Sequence, residues 1–215
     1  MKILNLYACL GGNRYKWDEV TDVEVTAVEY DPEAVRLYKE RFPNDMVILA
    51  DAHQYLLDHY KEFDFIWSSP PCPTHSRLNI AQKTKLKMRY PQMELYQEII
   101  FLDKFFNGKY VVENVIPYYE PLIPAKKRGR HLYWTNFNLP SNINERKSPD
   151  FTRVKNHIKV MSEFHDYDFT KYKGKQPRKK MANNLVDYEA GKTILEIAIG
   201  IINKQNVNQK TIFDI

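Results

Sequence analysis

The chain has 215 residues, enough for one domain with a small appendage and too few for two full cores. Hydrophobic residues at 43% and charged residues at 27% exclude wholesale disorder. The formal charge is +5, but residues 126–180 hold 15 Lys or Arg against 5 Asp or Glu, while the rest holds 17 against 22. A basic segment in an acidic body marks one polyanion-facing surface, and a solvated basic loop would read the same way. No apolar run reaches membrane-spanning length and no signal-peptide order occurs, so a soluble, cytoplasmic protein without a membrane partner is expected. Cys9 and Cys72 make neither a disulfide framework nor a four-ligand zinc site, and no second ligand pair accompanies Cys72 and His75; no metal is expected.

In chain order, Ile3 to Tyr7 is a short apolar run that stops at Gly11-Gly12. Glu24 to Tyr30 reads as a second strand, ended by Asp31-Pro32. That pair starts a helix, because Asp31 can cap it and Pro32 fits its first position. The helix places Ala34, Val35, Tyr38 and Phe42 on one face. Met46 to Leu49 is a third strand, Gln54 to Tyr60 a helix, and Phe63 to Trp67 a fourth strand before Pro70-Pro71. A long helix is predicted over 91–106 with Met93, Tyr96, Ile100 and Phe101 in its apolar stripe, then strands at Tyr110–Val112 and His131–Trp134. From Thr135 to Lys180 the periodicity dissolves. It returns over Val186–Asn203, where Ile194, Ile197, Ala198 and Ile201 form an apolar face. The alternation predicts an α/β fold, a mostly parallel sheet with helices on both faces. Residues 1–134 would form the core, 135–180 a small basic insert, and 181–215 a C-terminal helix returning to the core.

Ligands of such sheets bind beyond the carboxyl ends of the strands. Gly11-Gly12 there lets backbone approach a ligand. Glu29 suits two vicinal ribose hydroxyls, Tyr30 could stack on a base, and Asp51 could accept from an exocyclic amine. Together they describe an adenosine-containing cofactor, although acids at strand ends also simply cap helices. Cys72, flanked by prolines, is poorly placed for core packing and well placed as a fixed nucleophile. Glu113 would stand beside it if the fourth and fifth strands are neighbours, with Arg128 and Arg130 near the same edge.

These stretches are similar to the cytosine-5 DNA methyltransferase family, most closely its short phage-type members. The matching residues are Leu4–Asn13 (LNLYACLGGN), Val28–Pro32 (VEYDP), Ala50–Ala52 (ADA), Pro70–Ser76 (PPCPTHS), Val112–Val115 (VENV), Lys126–Arg130 (KKRGR) and Asn183–Gly191 (NNLVDYEAG). The resemblance implies a Rossmann-like fold that binds S-adenosylmethionine, leaves S-adenosylhomocysteine, and methylates C5 of a cytosine flipped out of double-stranded DNA. It makes Cys72 the nucleophile at C6, Glu113 the partner of the N3 and N4 edge, Arg130 the donor to O2, and Arg128 a support of the site. It assigns Tyr7, Ala8, Gly11, Gly12, Glu29, Tyr30, Asp51, Ala52, Pro71 and Asn184 to the cofactor. An activated Cys72 needs a depressed pKa, which nearby arginines and turn amides would give. Thr74 to about Tyr90, rich in Lys and Arg, reads as a loop that closes over the base.

The insert is short for a target reader. Arg153, Lys155, Lys173, Lys175 and Arg178, with Ser76 and Arg77 beside the nucleophile, are the expected nucleic-acid contacts. Departures from the family pattern are Cys9 where Gly is usual, Lys126 where Gln is usual, and Asn183-Asn184-Leu185 in the last motif. An RNA substrate, or a non-catalytic or partner-dependent binding module, are the alternatives. Restriction-modification, phage self-modification and gene regulation would all use the same site.

Overall fold

The computed structural model describes residues 1–81, 89–140, 146, 147, 149 and 155–202. Among them, β1 (Lys2–Leu6), β2 (Glu24–Glu29), β3 (Met46–Leu49), β4 (Phe65–Ser68), β5 (Lys109–Val115), β6 (Lys126–Arg128) and β7 (His131–Thr135) form one sheet in the order β3-β2-β1-β4-β5-β7-β6. The first five strands pair in parallel, and β7 runs antiparallel to both β5 and β6. This is the predicted Rossmann-like arrangement, with β6 an addition: its three residues Lys126-Lys127-Arg128 carry no apolar signal.

Alternate residues of the inner strands feed opposite faces, as a pleated sheet requires. Leu4, Leu6, Ile66, Val112, Leu132 and Trp134 pack under α2 (Ala52–His59) and α4 (Glu94–Phe105). Ile3, Phe65, Trp67, Val111 and Tyr133 pack with Ile194, Leu195 and Ile197 of α7 (Tyr188–Ala198) on the other face. Burial on both faces is why these strands read as continuous apolar runs. No helix among the described residues is long and apolar enough to cross a membrane.

α1 (Pro32–Arg41) begins as predicted, with Asp31 Oδ1 accepting from the Glu33 amide at 2.9 Å. The stripe of α4 is rotated from the prediction: Leu95, Tyr96, Glu98, Ile99 and Leu102 are buried, while Met93 and Ile100 are about half exposed at 48% and 53%. α7 is shorter than predicted, ending at Ala198, and Ile201 is exposed. Gly191 lets this helix touch the loop after β1, since a Cβ there would lie 2.2 Å from the Asn13 carbonyl oxygen.

The stretch expected to lack pattern contains α5 (His157–His165) and leads into α6 (Arg178–Asn184). α5 is flanked by left-handed residues, Asn156 at φ +65° and Asp166 at φ +50°. Among the described residues of this stretch no separate core forms. Met161, Phe169, Tyr172, Met181 and Leu185 share one apolar cluster with Leu10, Ala34 and Leu37 of the N-terminal half. Polar staples add to the contact: Tyr172 Oη donates to Asp31 at 2.5 Å, Lys171 pairs with Glu40 at 2.8 Å, and Arg41 lies between the Tyr15 and Tyr167 rings.

Candidate active site

The loop after β1 is held from below by Glu29. Its Oε2 accepts from the Cys9 amide at 2.8 Å and keeps a free lone pair, while its Oε1 accepts from both the Tyr30 and Asp31 amides, at 2.8 and 2.9 Å. Tyr7 at φ +55°, Cys9 at φ +48° and Gly11 at φ +69° give the loop its course. At Gly11 the space a Cβ would take is filled by Phe42, at 2.3 Å, so glycine is required there by protein packing as well as by φ. Asp51 caps α2 through the Gln54 amide at 2.9 Å and remains exposed. Ala8 and Ala52 are buried, and Tyr30 is 79% exposed.

Asn184, expected at the cofactor, is exposed at the end of α6. Its neighbour Asn183 carries a buried Oδ1 with no hydrogen-bond partner. An orphaned buried acceptor costs about 1–3 kcal/mol and calls for a donor.

β4 and β5 are neighbours, with Ser68 opposite Val112, so the turn after β4 lies beside the end of β5. The Cys72 carbonyl accepts from the His75 and Ser76 amides, both at 3.0 Å, and Asn114 Nδ2 holds the Pro70 carbonyl at 2.9 Å. Pro71 is exposed and Cys72 half-buried. Glu113 is 6% exposed; burial raises its pKa to about 7, against the pull of the Ser69 hydroxyl and the Arg130 charge. Burial, then the Glu113 charge, pushes the Cys72 thiol up to about 11, opposed by Lys180 and Arg130. The direction is upward, where an activated thiol was expected to be depressed. Burial outweighs the cations. Arg130 sits in the two-residue loop between β6 and β7, after Gly129 at φ +48°, while Arg128 is buried at the end of β6.

Three groups escaped the sequence reading. Glu98, wholly buried on α4, accepts from Tyr7 Oη at 2.6 Å and Ser68 Oγ at 2.5 Å and faces His53 Nδ1 at 3.1 Å, tying the ends of β1 and β4 to α2. A charged residue three positions after Leu95 and one before Ile99 was the available signal. The charge of Lys180 works against the upward shift of both cysteine thiols. Asn79 bonds both backbone groups of Arg89, at 2.8 and 3.3 Å, and Thr74 Oγ1 accepts from the Gln92 amide at 3.1 Å. Residues 82–88 of the expected closing loop, and Arg153, lie outside the described residues.

Of the expected nucleic-acid contacts, Lys155, Lys173, Lys175, Arg178 and Arg77 are exposed. The Lys173 amide donates to Glu33 at 3.1 Å and Arg178 Nε to the Tyr172 carbonyl at 3.0 Å, which fixes the backbone that carries them. Ser76 Oγ accepts from the Leu78 amide at 3.2 Å, at the start of α3 (Arg77–Ala81). Among the described residues no group of three His, Cys, Asp or Glu is arranged to hold a metal ion.

The strand order, with these side chains gathered at its carboxyl edge, is that of a Rossmann-like domain of the methyltransferase class. The chain belongs to the C-5 cytosine-specific DNA methylase family, whose profile matches residues 1–117. A triple-alanine mutant of Spodoptera frugiperda DNMT2 is similar at 27% identity and TM-score 0.39, over 53% of this chain and 35% of that one. The methyltransferase EhMeth of Entamoeba histolytica gives 10% identity and TM-score 0.37, over 54% and 38% of the two chains. A TehB-like SAM-dependent methyltransferase of Corynebacterium glutamicum gives 16% and 0.36, over 53% and 54%. The chain thus spans about a third of the insect protein's length. No curated protein matches it.

Proposed function

We propose that this protein methylates C5 of cytosine in double-stranded DNA, with S-adenosylmethionine as methyl donor. The observation that carries the reading is the pairing of β4 with β5, which brings the proline turn bearing Cys72 beside the end of β5 that bears Glu113, a carboxyl whose pKa burial raises to about 7, with the charge of Arg130 acting on both. Residues 1–134 would supply the chemistry, 135–180 the contact with DNA, and 181–215 the return to the core. The fit to the donor rests on Glu29 Oε2, exposed Tyr30 and Asp51, and above all the unpaired Asn183 Oδ1, a ready acceptor for an ammonium group. Asn183 replaces Asn184 in this reading.

The cytosine ring is too electron-poor at C5 to act as a nucleophile. Cys72 gives up its thiol proton to solvent as Sγ adds to C6, while protonated Glu113 transfers its proton to N3 and Arg130 donates to O2, and the electron pair of the C5–C6 bond becomes available at C5. When bound, S-adenosylmethionine supplies the electrophilic methyl group. Loss of the C5 proton to a base then expels the Cys72 thiolate, and N3 returns its proton to Glu113 as the aromatic ring is restored. Glu113 matters twice: its carboxylate charge raises the Cys72 thiol pKa, and pairing with N3 in the acid form removes that charge. The nucleophile is thus released by the presence of its target.

The test is transfer of labelled methyl to unmethylated DNA, with total RNA alongside and nucleosides read by mass spectrometry. 5-Methylcytosine in DNA, absent with Cys72→Ser, is the expected result. Label in RNA alone would move the substrate. No label in either polymer, with cofactor and DNA still bound, would end the enzymatic reading.

A further inference from the structure

His131 takes no part in the reaction as drawn. β5 and β7 pair with Glu113 opposite Tyr133 and Val115 opposite His131, which makes His131 the diagonal neighbour of Glu113 on the same face of the sheet. Its Nε2 lies 3.6 Å from Glu113 Oε1, with side-chain exposures of 14% and 8%. The other charged or titratable groups around the pair come from each packed element. Ser69 donates to Glu113 from the end of β4, Cys72 follows on the same turn, and Arg130 approaches from the β6–β7 loop. Arg146, His165 and Asp187 line a small hollow with His131, and Arg146 is committed to Asp187 at 2.5 Å. Burial, then the Arg130 charge, keeps the imidazole neutral, its pKa pushed down to about 3. A neutral ring carries one N–H, and a carboxyl that must offer its proton in one direction benefits from a donor on its other oxygen.

We infer that His131 is a positioning residue for Glu113, its Nε2–H directed at Oε1 so that Oε2 and its proton face the pyrimidine. This rests on the methyltransferase reading above. At 3.6 Å the contact is longer than a hydrogen bond, and it shortens when the site closes on a base, as catalytic hydrogen bonds do. The neighbouring Arg130 cannot do the same, because a formal cation at that oxygen would strip Glu113 of the proton it has to donate.

The test uses the full chain labelled with 13C-carboxyl glutamate, the Glu113 signal being assigned with Glu113→Gln. His131→Leu removes a donor to the ionised form, so the Glu113 titration moves up by about one pH unit. Single-turnover methyl transfer falls about tenfold, with S-adenosylhomocysteine binding unchanged. His131→Gln, which keeps an N–H at similar reach, restores both. An unmoved titration and rate in His131→Leu overturns the inference. Should that variant fail to fold, the imidazole 15N shifts of the unmutated protein decide: a neutral ring protonated on Nε2 between about pH 6 and 8 supports it, and a proton on Nδ1 or a charged ring overturns it. A protein that methylates neither polymer defeats the enzymatic reading, while the carboxyl titration still reports on the pair.

Discussion

The Cys72 turn and the basic segment 155–185 lie on the same domain and are held by opposite means. The turn is fixed by backbone: strand register, the amides of His75 and Ser76, and two buried asparagines, Asn114 and Asn79, that grip main-chain groups. The segment shares its apolar cluster with the N-terminal half, but its polar contacts are ion pairs, phenol–carboxylate bonds and cations over rings, many of them exposed. Backbone contacts at low exposure are insensitive to salt, and exposed charge pairs are screened by it. The part that would do chemistry is held by backbone, and the part that would meet a polyanion adds to its apolar contact polar interactions that a polyanion can compete for.

The sharpest way to break this contrast is at Glu113. Glu113→Gln should lower methyl transfer by about 10²–10⁴-fold, through loss of the proton at N3. It should also raise the rate of Cys72 alkylation by iodoacetamide at about pH 8. The sign follows from the carboxylate: its negative charge raises the thiol pKa, so its removal lowers that pKa and increases the thiolate fraction. An alkylation rate that falls would refute the coupling. Next is Gly191→Ala, which forces a methyl group against the Asn13 backbone; about 2–3 kcal/mol should be lost in urea unfolding. Tyr172→Phe deletes the bond to Asp31 and should cost about 1–2 kcal/mol, loosening 169–185 more than the sheet in hydrogen exchange. Smallest is Lys171→Ala at the exposed pair with Glu40: a slight drop in stability that vanishes in molar salt. A salt-independent loss there would remove the contrast.

The inner strands were legible because each is buried on both faces and so reads as an apolar run. β6 was not, being three cationic residues that pair only as an edge, and α6, seven residues with three cations, is too short and too basic to show a period. α5, nine residues with one Lys and one Glu, is hidden inside a stretch rich in Asn, Pro and Lys. The stripe of α4 misled because apolar Met93 and Ile100 face outward while Glu98 faces in, its charge satisfied by partners remote in sequence. The juxtaposition of Cys72 with Glu113 could be read from motif spacing once strand order was assumed. The direction of the Cys72 shift could not, since it depends on burial, and neither could His131, whose meaning appears only with the β5–β7 register.

The grip of Asn79 on Arg89 has a consequence for how such a protein diversifies. The chain departs from Asn79 and is taken back at Arg89 by that same side chain, three residues before Gln92 is fastened to Thr74. What lies between is a cassette whose entry and exit are clamped together, and doubling its length costs only about 0.6 kcal/mol of closure entropy. New residues can be spliced in at that point without re-laying the turn on which Cys72 sits.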